Sequence, residues 1–369
     1  MPEAQEKLRD MADWWLVGSA LCLLGLGLIM VFSASGVMAE RLFRHADHFF
    51  LRQSIFAGLG LVIMWAAARL PLRLVYAWVY LWLFAVLGVL CLTLTPLGMQ
   101  AGGASRWLDL GLFSLQPLEP AKVALVLYLG YFLSHKQDKM KTFSVGFLPP
   151  LIITGCIAGM LLMQPDFGGA VFMALLFFAM SMVGGTRILY LVSSGIFCLG
   201  IGGYMIVNSQ YRMQRWLAFI DPFQNAGDAG YQVVQSLYGL GLGGLLGQGL
   251  GAGKQKLFFL PEGHTDFIVS VLGEELGFLG LSLLFVCLGV YMFRGLAIAL
   301  KQENLQDRFT ALGLCLVVVL GALLNLAVVM GAVPPKGLPM PFVSYGGSHL
   351  VVACLCTGLL VNIEARGRR

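Results

Sequence analysis

Residues 14–35, WWLVGSALCLLGLGLIMVFSAS, run without an Asp, Glu, Lys or Arg. A helix needs about 20 mostly apolar residues to cross a membrane, so this stretch alone reads as a span. Nine more segments meet or approach that length: 52–70, 73–95, 118–134, 146–164, 168–186, 188–208, 267–293, 309–332 and 343–363. The composition agrees. Asp, Glu, Lys and Arg make up 12% of the 369 residues, where a soluble domain carries roughly 25%, and the mean hydropathy is +0.82. The expectation is an all-α polytopic membrane protein: one domain over 1–369 with about ten transmembrane helices. The opening MPEAQEKLRDMADWW is mixed in charge and no small-residue cleavage pattern follows the apolar run, so the first helix is expected to be retained.

Lys and Arg accumulate on the cytoplasmic side of membrane proteins. With a cytoplasmic N-terminus, the inner connections and ends hold Lys7, Arg9, Arg69, Arg73, Lys136, Lys139, Lys141, Arg187, Arg294, Lys301, Arg308, Arg366, Arg368 and Arg369. The short outer loops hold only Arg41, Arg44, Arg52, Arg106, Lys122 and Lys336. Both ends are therefore expected inside. The longest connection, 209–266 between helices seven and eight, is a large extracytoplasmic loop. Its WLAFIDPF, its glycine run and its FFLPEGHTD are too apolar for a solvated linker, so part of it is expected to lie on the bilayer or fold back among the helices. The net charge of +5 resides mostly in short connections, as topology requires, which argues against nucleic acid as a partner. All eight cysteines fall inside apolar segments and read as small packing residues.

Against this background the charged residues stand out. Asp266, in PEGHTDF, sits where the long segment enters helix eight; a carboxylate there is a general base if its surroundings set its pKa, or else the cap of that helix. His264, two residues earlier, reads as structural. Glu274 and Glu275, in VLGEELGFLG, lie inside the same helix, and such buried carboxylates have partners in the protein interior. At 1.5 Å per residue Glu274 is ~12 Å below Asp266, too far for a glycosidase-type carboxylate pair unless the helix is broken between them. Arg106, Lys122, Arg212, Arg215, Lys254 and Lys256 make a cationic set suited to a phosphate or pyrophosphate headgroup, or individually to ordinary phospholipid. Glu119 and Lys122, three apart, share a face of helix four near one surface. YGLGLGGLLGQGLGAG lacks the order of a nucleotide-binding loop and reads as close packing. Asp166, in QPDFGG, reads first as a cap. PPKGLPMPFVSYGGSHL joins a proline-rich outer turn to Ser344 and small residues that permit close helix contact or line a groove.

These motifs occur in a characteristic order: VFSAS at 31–35, GGASRWLDLG at 102–111, QPLEPAK at 116–122, QPDFGG at 164–169, DPF at 221–223, GYQVVQS at 230–236, LPEGHTDFIVSVLGEELG at 260–277 and KGLPMPFVSYGGS at 336–348. The chain resembles, along essentially its whole length, the shape, elongation, division and sporulation family that includes FtsW, RodA and SpoVE. Leu118 and Pro120 stand where that family's motif has Ser and Leu, and His349 where it has Ser, while Glu119 and Lys122 remain. The KGLP and DPF spellings look more like the division branch than the elongation branch.

The resemblance implies a peptidoglycan glycosyltransferase that polymerises lipid II, a disaccharide-pentapeptide on undecaprenyl pyrophosphate, on the outer face of the bacterial inner membrane. It implies a class B penicillin-binding protein as transpeptidase partner and, for the division branch, membrane proteins of the divisome and enrichment at the septum. The family's essential aspartate maps onto Asp266, the expected catalytic base. Arg212, Arg215, Lys122 and Lys254, then Arg106 and Lys256, would stabilise the departing pyrophosphate, with or without a divalent cation (Mg or Mn). Glu119, Glu275, Glu274, His264, Asp166 and Ser344 are expected as supports. A lipid II flippase and a non-enzymatic scaffold are the rival readings.

Overall fold

The computed structural model describes every residue except 1–12, 102, 103, 110, 112, 228, 229, 368 and 369. Lys7, Arg9, Arg368 and Arg369, used above for orientation, and Gly102, Gly103 and Leu110 of the second motif lie outside the described residues. Each of the ten predicted spans falls on helix. They are α1 (Trp14–Phe43), α2 (His48–Ala67), the broken pair α3 (Leu72–Ala77) and α4 (Val79–Thr93), α5 (Leu118–His135), α6 (Leu148–Met163), α7 (Phe167–Val183), α8 (Ile188–Val207), α11 (Ile268–Lys301), α12 (Leu305–Val329) and α13 (Gly347–Gly367). Seven of these segments are long and apolar enough to span by themselves, whereas α4 and α7 are apolar but shorter. Within the long connection lie α9 (Gln210–Ile220) and α10 (Tyr231–Gly243).

The centre is built from α5, α12 and α13, whose side chains are mostly buried. Around them α13 packs along α2, α12 along α5 and α11, and α11 along α1. Small residues set these approaches, as expected where lipid supplies no hydrophobic drive between helices. Gly60 faces Cys354, Gly358 faces the Met64 carbonyl, and Gly313 faces Val126 and Met180. Asp13 caps α1, accepting from the Trp15 and Leu16 amides at 3.1 and 3.2 Å, and binds Arg294 Nε of α11 at 2.6 Å. By contrast α8 buries no residue at all.

Two features depart from the expectation. A small antiparallel sheet, β1 (Gly98–Ala101), β2 (Ala104–Asp109) and β3 (Ser114–Leu115) in that spatial order, occupies the loop before α5. It carries Arg106 on its middle strand. Helix eight of the prediction, here α11, is opened at Gly277, whose φ of 62° and ψ of −157° interrupt the helical run. The break lies beyond Glu274 and Glu275, so Asp266 and Glu274 remain separated by uninterrupted helix.

The break at Gly277 explains the glycine run. Starting at Tyr231, α10 runs inward alongside α11, with Ser270 Oγ donating to the Ser236 carbonyl at 2.7 Å. The chain then turns through Gly244 and Gly247, both at positive φ. There Gln248 N donates to Glu274 O at 2.9 Å and Gly249 N to Glu275 O at 3.0 Å, while Phe278 N and Leu279 N donate to Gly244 O and Leu245 O at 2.9 and 3.2 Å. Backbone groups freed by the broken helix are thus satisfied by a re-entrant hairpin, as irregular backbone at membrane depth must be. The chain climbs back through Gln255–Phe259 to the PEGHTDF turn. The long segment does fold back among the helices.

Candidate active site

The turn that presents Asp266 is wound on one residue. The Glu262 carbonyl accepts from Thr265 N at 3.1 Å and Phe267 N at 3.2 Å, and the Glu262 carboxylate accepts from Thr265 Oγ1 at 2.7 Å. The N-cap of α11 is Phe267, so Asp266 does not cap the helix and its carboxylate is left for other work. Two further contacts fix its backbone. Asn325 Nδ2, on α12, donates to the carbonyls of Asp266 at 2.8 Å and Leu338 at 2.7 Å, and so ties the turn to the proline-rich loop. Ser344 Oγ donates to the Thr265 carbonyl at 2.5 Å and accepts from Met340 N at 2.8 Å. The Ser344 carbonyl is held in turn by Gln53 Nε2 at 3.0 Å and His349 Nε2 at 3.1 Å. The ring of His264 packs against Phe49 and Tyr345, with centroids 5.1 and 5.7 Å apart, and burial pushes its imidazole below its ordinary value.

Burial, and next the negative charge of Glu262, push the Asp266 carboxyl up to about 7, against the pull of Arg106 and Arg215. That value suits a base working near neutrality. Gly337 sits against the carboxylate: a Cβ there would lie 3.4 Å from Asp266 Oδ2 and 3.6 Å from Arg106 Nη1. Gly337 also forms the edge of a cavity of about 590 Å³ whose walls carry Arg106, Arg212, Arg215, Lys336 and Asp166, with Trp216, Phe167 and Ile206 as apolar surface.

Each cation is held in place. Arg106 Nη2 donates to Pro165 O at 2.9 Å, and its Nε stands 3.7 Å from Asp166 Oδ1. Asp166 caps α7 as read, accepting from Gly169 N at 3.1 Å. On α9, Arg212 Nη1 donates to Met205 O at 3.2 Å and Arg215 Nη1 to Pro335 O at 3.4 Å. Lys336 Nζ lies 5.2 Å from the centre of the Phe167 ring, and burial pushes its ammonium below the ordinary value while Asp166 opposes the shift. Sequence reasoning did not select Lys336 or Asn325. The signal for Asn325 was present, a lone amide in the apolar run of α12; Lys336 was read as an outer-loop charge at the start of the proline-rich turn and not as part of the cationic set.

Three other members of the predicted cationic set stand apart from this cavity. Lys122, in the first turns of α5, faces the interior and not this cavity. It is buried against Glu119 at 2.7 Å and over the Phe172 ring at 4.5 Å, beside a void of about 20 Å³ that His349 also lines. Lys256 Nζ pairs with Glu275 Oε1 at 2.8 Å and donates to Ser33 Oγ at 3.1 Å, and Ser33 Oγ donates to Glu275 Oε2 at 2.6 Å. Lys254 enters through its backbone: its amide donates to Glu274 Oε1 at 2.8 Å, and the Gln255 amide to Glu274 Oε2 at 3.1 Å. The two glutamates thus hold the returning limb of the hairpin. Among the described residues no three His, Cys, Asp or Glu side chains gather as metal ligands.

The fold and site define a polytopic membrane protein with a carboxylate of raised pKa beside a cation-lined cavity. The chain matches, over residues 14–369, the cell cycle protein family of FtsW, RodA and SpoVE, and it belongs to that family. Among similar proteins, the probable peptidoglycan glycosyltransferase FtsW of Trichlorobacter lovleyi is 42% identical, over 96% of this chain and 93% of its own. The stage V sporulation protein E of Bacillus subtilis is 37% identical, over 96% of this chain and 98% of its own. Among solved structures, a chain of a peptidoglycan synthase complex that coordinates polymerization and crosslinking is 28% identical, with a TM-score of 0.82 over 97% of this chain and 99% of that one. The rod shape determining protein RodA of Thermus thermophilus, also 28% identical, superposes with a TM-score of 0.72 over 97% of this chain and 98% of that one.

Proposed function

We propose that this protein polymerises lipid II into glycan strands at the outer face of the bacterial inner membrane, with Asp266 as general base. The observation that carries the reading is the carboxyl of Asp266, raised to about 7 and set against Gly337, a wall residue of the cavity that Arg106, Arg212, Arg215 and Lys336 also line. Asp266 takes the proton of the acceptor sugar hydroxyl as that oxygen bonds to the anomeric carbon of the donor. The bond from that carbon to the pyrophosphate breaks with its electron pair, and undecaprenyl pyrophosphate leaves. A single displacement inverts the anomeric centre. The leaving group is already a stable anion, so it needs charge compensation rather than a proton. Preorganised cations supply this best where water is excluded. One carboxylate then suffices where a glycosidase generally uses two.

The apolar side of the cavity, with Ile206, Phe167 and Trp216, adjoins α8, which buries nothing against the bundle. The polyprenyl chain follows that surface, and the sugars stay at the interface. Relatives named as probable peptidoglycan glycosyltransferases support the reaction. The likeness to a chain of a peptidoglycan synthase complex supports a class B penicillin-binding protein as partner, and the names of the relatives support a place among the divisome proteins at the septum. We assign no protein-built metal site, and no step is routed through a divalent cation. A flippase would use polar side chains through the depth of the membrane. Below Asp266 they are engaged with one another, Glu275 with Lys256 and Ser33, which favours the polymerase.

The test is to supply purified lipid II to the full chain with its cognate penicillin-binding protein, and to follow polymer and transbilayer movement in the same vesicles. Polymer without added transport is the expected result. Transport without polymer, the partner being active, overturns the reading in favour of a flippase.

A further inference from the structure

The end of the bundle remote from Asp266 carries a second cavity, of about 520 Å³, that the proposed reaction does not use. Its place follows from the chain. Both α2 and α13 begin beside the Asp266 turn, where Phe49 packs on His264 and Gln53 holds Ser344, and both run away from it to Ala67 and Gly367. The cavity lies between the turn at 68–73 and the last residues of α13.

Three arginines line it: Arg69, Arg73 and Arg366. The turn that carries the first two is clamped to α13, because Asn362 Nδ2 donates to the carbonyls of Ala67 at 2.7 Å and Leu70 at 2.6 Å. Arg69 is spread over the Trp65 ring at 4.0 Å. Arg366 is steadied by Asp307 at 3.4 Å, and the same carboxylate accepts from the Tyr76 hydroxyl at 2.6 Å. Three arginines therefore line one concavity, two of them with their side chains held in place and one of those, Arg366, partly offset by Asp307. Exposed apolar side chains lie beside these arginines: Leu70 lines the cavity, Trp65 stacks under Arg69 and Leu74 follows Arg73. A free anion would use the arginines and leave that surface idle; a lipid uses both.

We propose that this cavity binds the phosphate headgroup of an anionic membrane phospholipid, the phosphate between Arg69, Arg73 and Arg366 and the acyl chains along Trp65 and its apolar neighbours. Arginine suits the phosphate because its planar fork donates two parallel hydrogen bonds. Basic pockets between membrane helices recur as headgroup sites. The occupant would brace the junction of α2, α3 and α13 at the end opposite the reaction.

The test is native mass spectrometry of the full chain in detergent, titrated with phosphatidylglycerol, phosphatidylcholine or inorganic phosphate. Compared with it are the variant Arg69→Gln/Arg73→Gln, which leaves the Asn362 clamp and the Arg366–Asp307 pair intact, and Arg41→Gln/Arg44→Gln at the other end. Wild type and the Arg41/Arg44 variant should retain phosphatidylglycerol over phosphatidylcholine. The Arg69/Arg73 variant should bind it about 30-fold more weakly, two arginines' share of the attraction. Quenching by brominated phosphatidylglycerol that is lost in Trp65→Phe reports the same site without touching an arginine. Equal retention of both lipids, no change in the Arg69/Arg73 variant, or displacement of phosphatidylglycerol by equimolar inorganic phosphate would each overturn the proposal.

Discussion

Two charged regions flank the first half of α11, and they are built on opposite plans. At the Asp266 end, Arg106, Arg212, Arg215 and Lys336 line an open cavity; the three arginines donate to backbone carbonyls, Arg106 also stands near Asp166, and Lys336 lies over the Phe167 ring. Nine residues further along, Glu275 is closed off by Lys256, Ser33 and the Gly251 amide at 3.1 Å, and Glu274 by two amides of the returning hairpin limb. The first region sets four cations around a cavity with one carboxylate, Asp166, among its walls. The second spends both signs on itself and holds a re-entrant loop against a broken helix. A buried ion pair adds little net stability but is costly to break halfway. The comparison separates charges that line a cavity, to which the proposed reaction assigns chemistry, from charges that hold the fold, although all of them look alike in the sequence.

The largest effect should come from halving the closed region. Lys256→Met leaves Glu275 buried without its cation and should cost about 3–5 kcal/mol of stability. The double variant Lys256→Met/Glu275→Met should recover most of that loss, as read from thermal denaturation in detergent. If the single and double variants melt alike, the pair is not the clamp described. In the open region, Arg215→Ala should lower the polymerisation rate about 10²-fold, the cost of one preorganised charge-stabilising donor, with little change in melting temperature. An equal fall in stability would place Arg215 with the fold instead.

The pH dependence sharpens the contrast further. The Asp266 carboxyl is raised by burial to about 7 in the folded protein from an ordinary value of 3.8. The folded state therefore holds this proton more tightly than the unfolded one, and stability is lost as pH rises through that window. Asp266→Asn should melt like wild type near pH 4 and above it at pH 8. The smallest effect is expected for Lys254→Ala. Its side chain is exposed and only its amide binds Glu274, so neither activity nor melting temperature should move beyond the ±0.5 kcal/mol typical of surface changes.

Much of this was legible in the sequence. The ten apolar runs all fell on helix, Asp166 was read correctly as a cap, and the apolar character of 209–266 foretold that part of it returns into the bundle. Other features were hidden for physical reasons. VLGEELGFLG reads as continuous helix because a helix tolerates one glycine; its opening at Gly277 depends on hydrogen bonds to Gly244 and Leu245, which local periodicity does not contain. The Glu119–Lys122 pair was visible as an i, i+3 spacing, yet its burial was not, since that depends on Phe172 and His349 closing over it. Lys256 joined the substrate-binding set because its charge is evident and its partner, Glu275, is not adjacent. Lys336 was passed over in a proline-rich turn because only the fold brings that turn to Arg106 and Arg215.

The central claim is that Asp266 is the base beside a cavity made for a pyrophosphate. Its most direct test is the pH dependence of single-turnover lipid II coupling, with the partner bound, for wild type and Asp266→Asn. The account predicts a wild-type rate that rises about tenfold per pH unit and levels off near pH 7, and a variant at least about 10²-fold slower with that rise abolished. A variant that keeps both the rate and the rise near 7 would contradict it.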